Sequence, residues 1–354
     1  MTKRERIEAV LNFEEPDRVP IYDLLRNDAA IEYYSGKCLN IDNGLEITCE
    51  AIGKALDMTR SIRGPSREET MEEDGFIYEV KRWTGWIRKR PFSNVKEASA
   101  WVEKDIKKKN AWQPTNEYIE EFRNNFLYLQ EKVGDTVILL TQSSAGLDLA
   151  YIPLGLELFV YLYAEEPALV SSWIESLNLL EIRRVHAIAD YTLSPVTLVF
   201  SDIAFKDKVM FLPKFFKKEF YPCLKRLVEA YHEHRIKCLF HSDGNLMEIL
   251  PDLIATGIDG LNPIEVTAGM SLKKVKELYG DKLFLAGGID VSQLMVYGTK
   301  KEIEETAIQA IKDAGHGSGF FLGSTTELHN AIPGENIVTM IETTKKYGKY
   351  PLNL

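Results

Sequence analysis

Two rhythms of apolar and polar positions share this chain. Short apolar runs end abruptly in polar loops, and longer amphipathic stretches lie between them. The clearest unit is Lys237 to Glu265. There Cys238-Leu239-Phe240 stops at His241-Ser242-Asp243-Gly244-Asn245, an amphipathic segment spans Leu246 to Ala255, and a second run ends at Asn262-Pro263-Ile264-Glu265. By period this reads strand, loop, helix, strand, loop. The same order recurs on both sides. Strand centres are predicted at Val19, Val137, Val199, Leu239, Gly260, Leu283 and Phe320, with a further strand near Met58–Arg63. Helices are predicted at 3–13, 28–34, 44–56, 95–108, 115–133, 152–191 (broken at Glu166-Pro167), 213–234, 272–279, 300–314 and 335–347.

Strands alternating with helices imply a parallel sheet, and about eight such units in one domain imply an α/β fold of the closed (β/α)8, TIM-barrel type. An open doubly wound sheet is the rival, but no strand is followed by a glycine-rich dinucleotide fingerprint. Residues Phe76 to Arg90 (FIYEVKRWTGWIRKR) alternate around Thr84-Gly85, which predicts a β-hairpin inserted beside the barrel mouth. No repeat, low-complexity tract or linker interrupts the pattern. Residues 1–354 therefore read as a single domain that opens with a helix.

Composition changes this picture mainly by exclusion. A net charge of −10 argues against a nucleic-acid partner, which calls for a basic face. No apolar run is long enough to span a bilayer, and the N-terminus has no apolar signal core. The cysteines Cys38, Cys49, Cys223 and Cys238 form no CxxC pair, which suits a reducing cytoplasm and offers no thiolate zinc cluster.

In a barrel the C-terminal strand ends share one mouth. Here they supply Asp23, Arg26, Gln142, Asp202, His241, Asp243, Asn262, Glu265, Asp290, Glu327 and His329. Two readings compete. In one, His241, Asp243 and either Glu327 or Asp202 hold a metal, since an imidazole with carboxylates and an open position is an acceptable catalytic zinc shell. A plainer account has His241 bonded to a neighbouring carboxylate and Asp243 capping the next helix. In the other reading the carboxylates and Arg26 act on an organic substrate by charge and hydrogen bonding, Arg26 gripping an anionic group. Its plainer account is an arginine neutralising Asp23 or Asp28. Tyr151 and His329 are candidate donors to substrate, and Asp202 is a candidate base or ligand. Asp290 reads as a cap for the helix at 291–296, and Trp83 and Trp86 as hairpin packing.

Several stretches, in order, resemble the uroporphyrinogen decarboxylase superfamily: ERIEAVLNFEEPDRVPI, GLDLAYIPLGLE, FHSDGNL, GIDGLNPIE, FLAGGID and FFLGSTTELHNAIPGENIVTMIE. The superfamily contains porphyrinogen decarboxylases and methyltransferases that serve corrinoid proteins. Where the decarboxylases carry a Met-Arg-Gln-Ala-Gly-Arg run, this chain has Leu24-Leu25-Arg26-Asn27-Asp28-Ala29. Where they place a central aspartate after the second strand, it has Asp57-Met58-Thr59-Arg60-Ser61-Ile62. The zinc methyltransferases carry His-x-Cys and a later Cys. Here these become His241-Ser242-Asp243 and Thr326-Glu327. Oxygen ligands make a harder site, suited to polarising an ether oxygen instead of activating a thiol.

The resemblance thus implies a methyltransferase taking a methyl group from a small, methoxylated aromatic donor and delivering it to a separate corrinoid protein, as in corrinoid O-demethylases. His241, Asp243 and Glu327 would hold zinc, with Asp202 as a further ligand or catalytic base. Tyr151 and His329 would orient the donor, and Arg26, Gln142 and Glu265 would bind it. The alternative is a metal-free decarboxylase of uroporphyrinogen or another acidic substrate. A barrel that only binds a corrinoid or tetrapyrrole is a third reading. Superfamily members are often dimers, which leaves a homodimer open.

Overall fold

The computed structural model describes residues Met1–Leu354. Its parallel strands are β1 (Tyr22–Asp23), β2 (Met58–Thr59), β3 (Val137–Ile138, resumed at Gln142–Ser144), β4 (Val196–Phe200), β5 (Lys237–His241), β6 (Gly260–Asn262), β7 (Phe284–Ile289) and β8 (Phe320–Ser324). Neighbours in sequence are neighbours in the sheet throughout. The last strand also reaches the first. Ile21 bridges Leu322 in parallel, and the Leu322 N–H donates to the Pro20 carbonyl.

The period of two along each strand sorts side chains into two cores. Tyr22, Met58, Val137, Leu139, Val196, Leu198, Leu239, Phe284, Ala286 and Phe321 share an inner cluster with Ile7, Val10 and Leu11 of the first helix, Lys3–Leu11. The residues between them, such as Ile138, Val199, Cys238, Phe240, Leu285 and Leu322, face the helices in a second cluster of 75 buried residues. His241 has the parity of Leu239, so the strand that buries Leu239 inside also turns His241 inward at its C-terminal end.

One buried carboxylate helps to fix the first helix beneath the sheet. Asp57 accepts from Arg6 Nη1, Arg18 Nη1 and Nη2 and the Ile21 N–H, each at 2.8 Å. Beside the opposite end of the strands lies a three-stranded antiparallel sheet, Glu69–Glu73, Phe76–Val80 and Gly85–Lys89. Its first strand lies outside the predicted hairpin. The Arg82 Nε and the Trp83 indole N–H both donate to Asp28, and Phe76 packs edge-on against Phe92 and Trp101.

The long helical region divides into Leu147–Leu154, Leu156–Glu165 and Pro167–Ile188. The first two are bent by 108° at Gly155, whose φ of 80° suits glycine, and no single helix is long and apolar enough to cross a membrane. The segment expected as a helix at 246–255 is helical only over Leu250–Ile254, because Asn245 turns the chain first by accepting from the Met247 N–H. All four cysteines are free.

Candidate functional site

The C-terminal ends of β4 and β5 bring three potential ligands together. One ligand atom from each of Asp202, His241 and Asp243 lies within 4.8 Å of the others. His241 is 7% exposed, and its Nδ1 lies 2.6 Å from Asn262 Oδ1. The register pairs His241 with Asn262 across β5 and β6, and Asn262 Nδ2 donates to the Ala286 carbonyl. That second bond fixes the amide, so Nδ1 carries the proton and Nε2 keeps a free lone pair. Nε2 points at Asp243 Oδ1, 3.8 Å away. Burial first, and the nearby Arg60 charge second, push the imidazole pKa down to about 4, so the ring is neutral.

Asp243 does not cap a helix. Its backbone N–H donates to Asp202 Oδ1 at 3.2 Å, while its own Oδ1 is buried with no hydrogen-bond partner. Burial, then the charges of Asp202 and Glu265, raise its pKa to about 7. An orphaned carboxylate oxygen beside an imidazole lone pair and a second carboxylate is a donor set that fits a divalent cation.

Neighbouring loops hold this set in place. The Gly244 N–H donates to Glu265 Oε2 at 2.7 Å. Gly244 has φ of 92°, and a Cβ there would stand 2.6 Å from the Ala204 backbone, so only glycine lets the β4 and β5 loops approach so closely. On the other side Asp148, 1% exposed, accepts from the Asp202 N–H at 2.9 Å and from the Ser201 hydroxyl. The Tyr151 hydroxyl lies 2.9 Å from Asp148 Oδ1 and 3.0 Å from the Asp202 carbonyl, its one proton serving either. Burial raises Asp148 to about 6 and pushes the Tyr151 pKa upward.

Glu327 stands apart from this group. Leu328–His329 pairs in parallel with Leu25–Arg26, and that pairing sets Glu327 beside Arg26 instead of β5. Arg26 Nη1 donates to Glu327 Oε2 at 2.7 Å. Arg26 therefore neutralises neither Asp23 nor Asp28. His329 accepts from the Ala331 N–H through Nδ1. Gln142 accepts from Arg60 Nη1 at 2.9 Å. Asp290 caps the following turn, accepting from the backbone N–H groups of Ser292, Gln293 and Leu294.

Sequence reasoning passed over three groups. Asp148 interrupts an apolar stretch, LDLAYIPL, and a carboxylate in such a place signals a buried task. Arg60 and Arg63 follow β2 directly, where loop residues face the same side as Arg26 and His241. A surface hollow of about 460 Å³ contains none of these residues and is lined instead by Arg123, Asp190, Tyr191, His234 and Arg235 among others.

The family model described as uroporphyrinogen decarboxylase (URO-D) matches residues 91–347. No curated protein sequence matches the chain. A solved structure of a methyltransferase from Methanosarcina mazei superposes with a TM-score of 0.71 at 15% identity, covering 98% of this chain and 99% of that one. The two share a fold. An endo-1,4-beta-xylanase XylE from Penicillium canescens aligns over 63% of this chain and 78% of its own, with 11% identity and a TM-score of 0.36, too low to carry an argument.

Proposed function

The chain belongs to the uroporphyrinogen decarboxylase family, and from that premise we propose that it is a methyltransferase moving a methyl group from a small methoxylated aromatic donor to a corrinoid protein. It would act in the cytoplasm as one domain, residues 1–354, folded as a (β/α)8 barrel. The return of β8 onto the start of β1 supports the barrel. The observation that carries the activity is the Asp202–His241–Asp243 group, with its free imidazole lone pair and orphaned carboxylate oxygen. The fold shared with a methyltransferase supports the same reading.

Zinc is the proposed metal, held by His241 Nε2, Asp243 and Asp202, and when bound it supplies a Lewis acid that draws electron density from the donor's ether oxygen. Glu327, expected from the sequence as a ligand, is reassigned as the partner of Arg26. Asn262 holds the His241 proton on Nδ1 and so keeps Nε2 basic. Asp148 and Tyr151 fix the Asp202 loop, and Glu265 fixes the Asp243 loop. Gln142 and His329 would orient the donor. In the transfer the oxygen–methyl bond would break with its electron pair left on the oxygen, and the methyl group would pass to the partner's corrinoid as acceptor. The departing phenolate takes a proton from solvent.

The decarboxylase reading keeps support from the family's description and from the arginines at the mouth. Metal analysis separates the two. Wild-type protein supplied with zinc should hold about one zinc per chain and His241→Ala should lose it. Metal-free protein that decarboxylates uroporphyrinogen at an ordinary enzymatic rate overturns the methyltransferase proposal.

A further inference from the structure

Away from the mouth, two helices end beside one another. The helix Pro167–Ile188 carries His186 in its last turn, and the helix Tyr221–Glu233 is capped by His234. They lead into β4 and β5, whose first paired residues are Val196 and Lys237. Both helix ends therefore lie at the N-terminal face of the sheet, opposite His241. There His186 Nδ1 stands 3.3 Å from His234 Nε2 and 3.9 Å from Glu233 Oε2. His186 and Glu233 are exposed and His234 is half-buried. The polar contacts of these three side chains are with one another.

A direct hydrogen bond between two neutral rings is one account of the pair, but 3.3 Å is long for such a bond. It matches the spacing of two nitrogens on a single tetrahedral ion, about 3.3–3.4 Å for metal–nitrogen bonds of about 2.0–2.1 Å. The setting favours a cation as well. Two helix C-termini converge there, each with the partial negative charge of its unpaired carbonyls, and Glu233 adds a full one. The adjoining Arg235 is drawn off over the Tyr191 ring, 5.3 Å from its centroid, and Arg123 is paired with Asp190 at 2.7 Å. The neighbouring His232 serves another purpose. Its Nε2, the Lys237 ammonium and the Cys238 N–H all meet Asp259, at 2.7, 2.9 and 2.8 Å, which leaves that carboxylate little room for an ion.

We propose that His186, His234 and Glu233 form a second metal site, for a divalent transition ion of the zinc, nickel or copper class, which clips together the ends of two helices. Two imidazoles and one carboxylate select such ions over magnesium or calcium, which take oxygen ligands. Glu233 closes the last of the gap by a rotation of its exposed side chain. The hollow of about 460 Å³ opens against His234 and Glu233, so water completes the coordination. This site is independent of the function proposed above. Being exposed, it exchanges its ion with solvent and is emptied by desalting, after which the zinc count that tests the mouth is taken.

Calorimetric titration with nickel(II) and zinc(II), and with magnesium(II) as control, reads the site at equilibrium. The protein is the His241→Ala variant, in which the mouth is disabled. It should take up about one nickel or zinc per chain and no magnesium. Adding His186→Ala or His234→Ala should remove that uptake, and adding Glu233→Gln should weaken it about tenfold. Nickel should raise the unfolding temperature of His241→Ala but not of the chains that also lack His186 or His234. Equal unfolding temperatures without metal show that the variants fold. In the otherwise wild-type chain, His186→Ala should remove one class of sites and leave the zinc count after desalting unchanged. No uptake by His241→Ala, uptake that survives the loss of either histidine, or uptake lost with His232→Ala instead each overturn the proposal. Magnesium bound as tightly as nickel overturns it too.

Discussion

Asp23 shows how much a single side chain at the mouth depends on its surroundings. It is 3% exposed and accepts from the Leu24 N–H, the Ser324 N–H and the Ser324 hydroxyl, yet burial outweighs these bonds and raises its pKa to about 7. A carboxyl raised on folding contributes stability that is complete below its unfolded value near 4 and is lost as pH rises through about 7. Asp23 should therefore add to the pH dependence of the unfolding free energy, measured by denaturant, a fall of up to about 1.4 kcal/mol per pH unit between about pH 4 and 7, beside the contributions of Asp148, Asp243 and His241. Asp23→Asn should make that slope less negative by about this amount, whatever its constant offset. A slope unchanged in the variant would show that Asp23 is ionised throughout. At this scale the sequence made the juxtaposition of His241 and Asp243 legible, because His241 ends a strand whose parity was readable and Asp243 follows two residues on. Glu327 was misplaced because its neighbour depends on the Leu328–Leu25 pairing, a contact between opposite ends of the chain that no local pattern reports. His186 and His234 were visible as residues but not as a pair, since only the packing of two helix ends brings them together.

Among elements, the first helix is tied to the sheet in part through one buried carboxylate. Asp57, with a 1% exposed side chain, ties Arg6 of that helix to Arg18 and to the start of β1. Asp57→Asn leaves Arg18 without a counter-charge and Arg6 with Asp17 alone, and unfolding free energy should drop by about 3 kcal/mol. Zinc content should stay as in wild type, since Asp57 lies at the N-terminal ends of the strands and the proposed ligands at the other. A variant that keeps its stability would place the helix's anchorage in Ile7, Val10 and Leu11 and in the remaining polar contacts of Lys3, Arg4 and Arg6. Elements were legible in proportion to their periodicity. Leu272–Tyr279 and Lys300–Ala314 lie where the apolar spacing predicts them. Glu69–Glu73 was missed because every residue of it is exposed, so its polar run, ETMEE, carries no alternation to read. The expected helix at 246–255 shortened because Asn245 satisfies the first backbone donor with its side chain.

For the whole molecule, one outer core runs from the helices into the antiparallel sheet, taking in Phe76, Trp83 and Phe92 together with Trp173 and the strand residues. Tryptophan fluorescence and far-ultraviolet circular dichroism should therefore report coincident unfolding transitions in denaturant. An earlier fluorescence transition would mean that the antiparallel sheet melts by itself. The strand order was legible because each strand precedes a helix and so pairs with its predecessor. The return of β8 to β1 was expected only from the number of strands. The charge around the Asp202–His241–Asp243 group bears lastly on how a metal ion arrives. A divalent cation meets the pull of a net charge of −10 from afar and the repulsion of Arg60 beside Asp243 only near the end of its path. At about 0.1 M salt the screening length is roughly 10 Å, which hides the distant attraction first and the near repulsion last. The association rate of zinc should accordingly decline as salt is added, whereas a neutral ligand would arrive equally fast at every salt concentration.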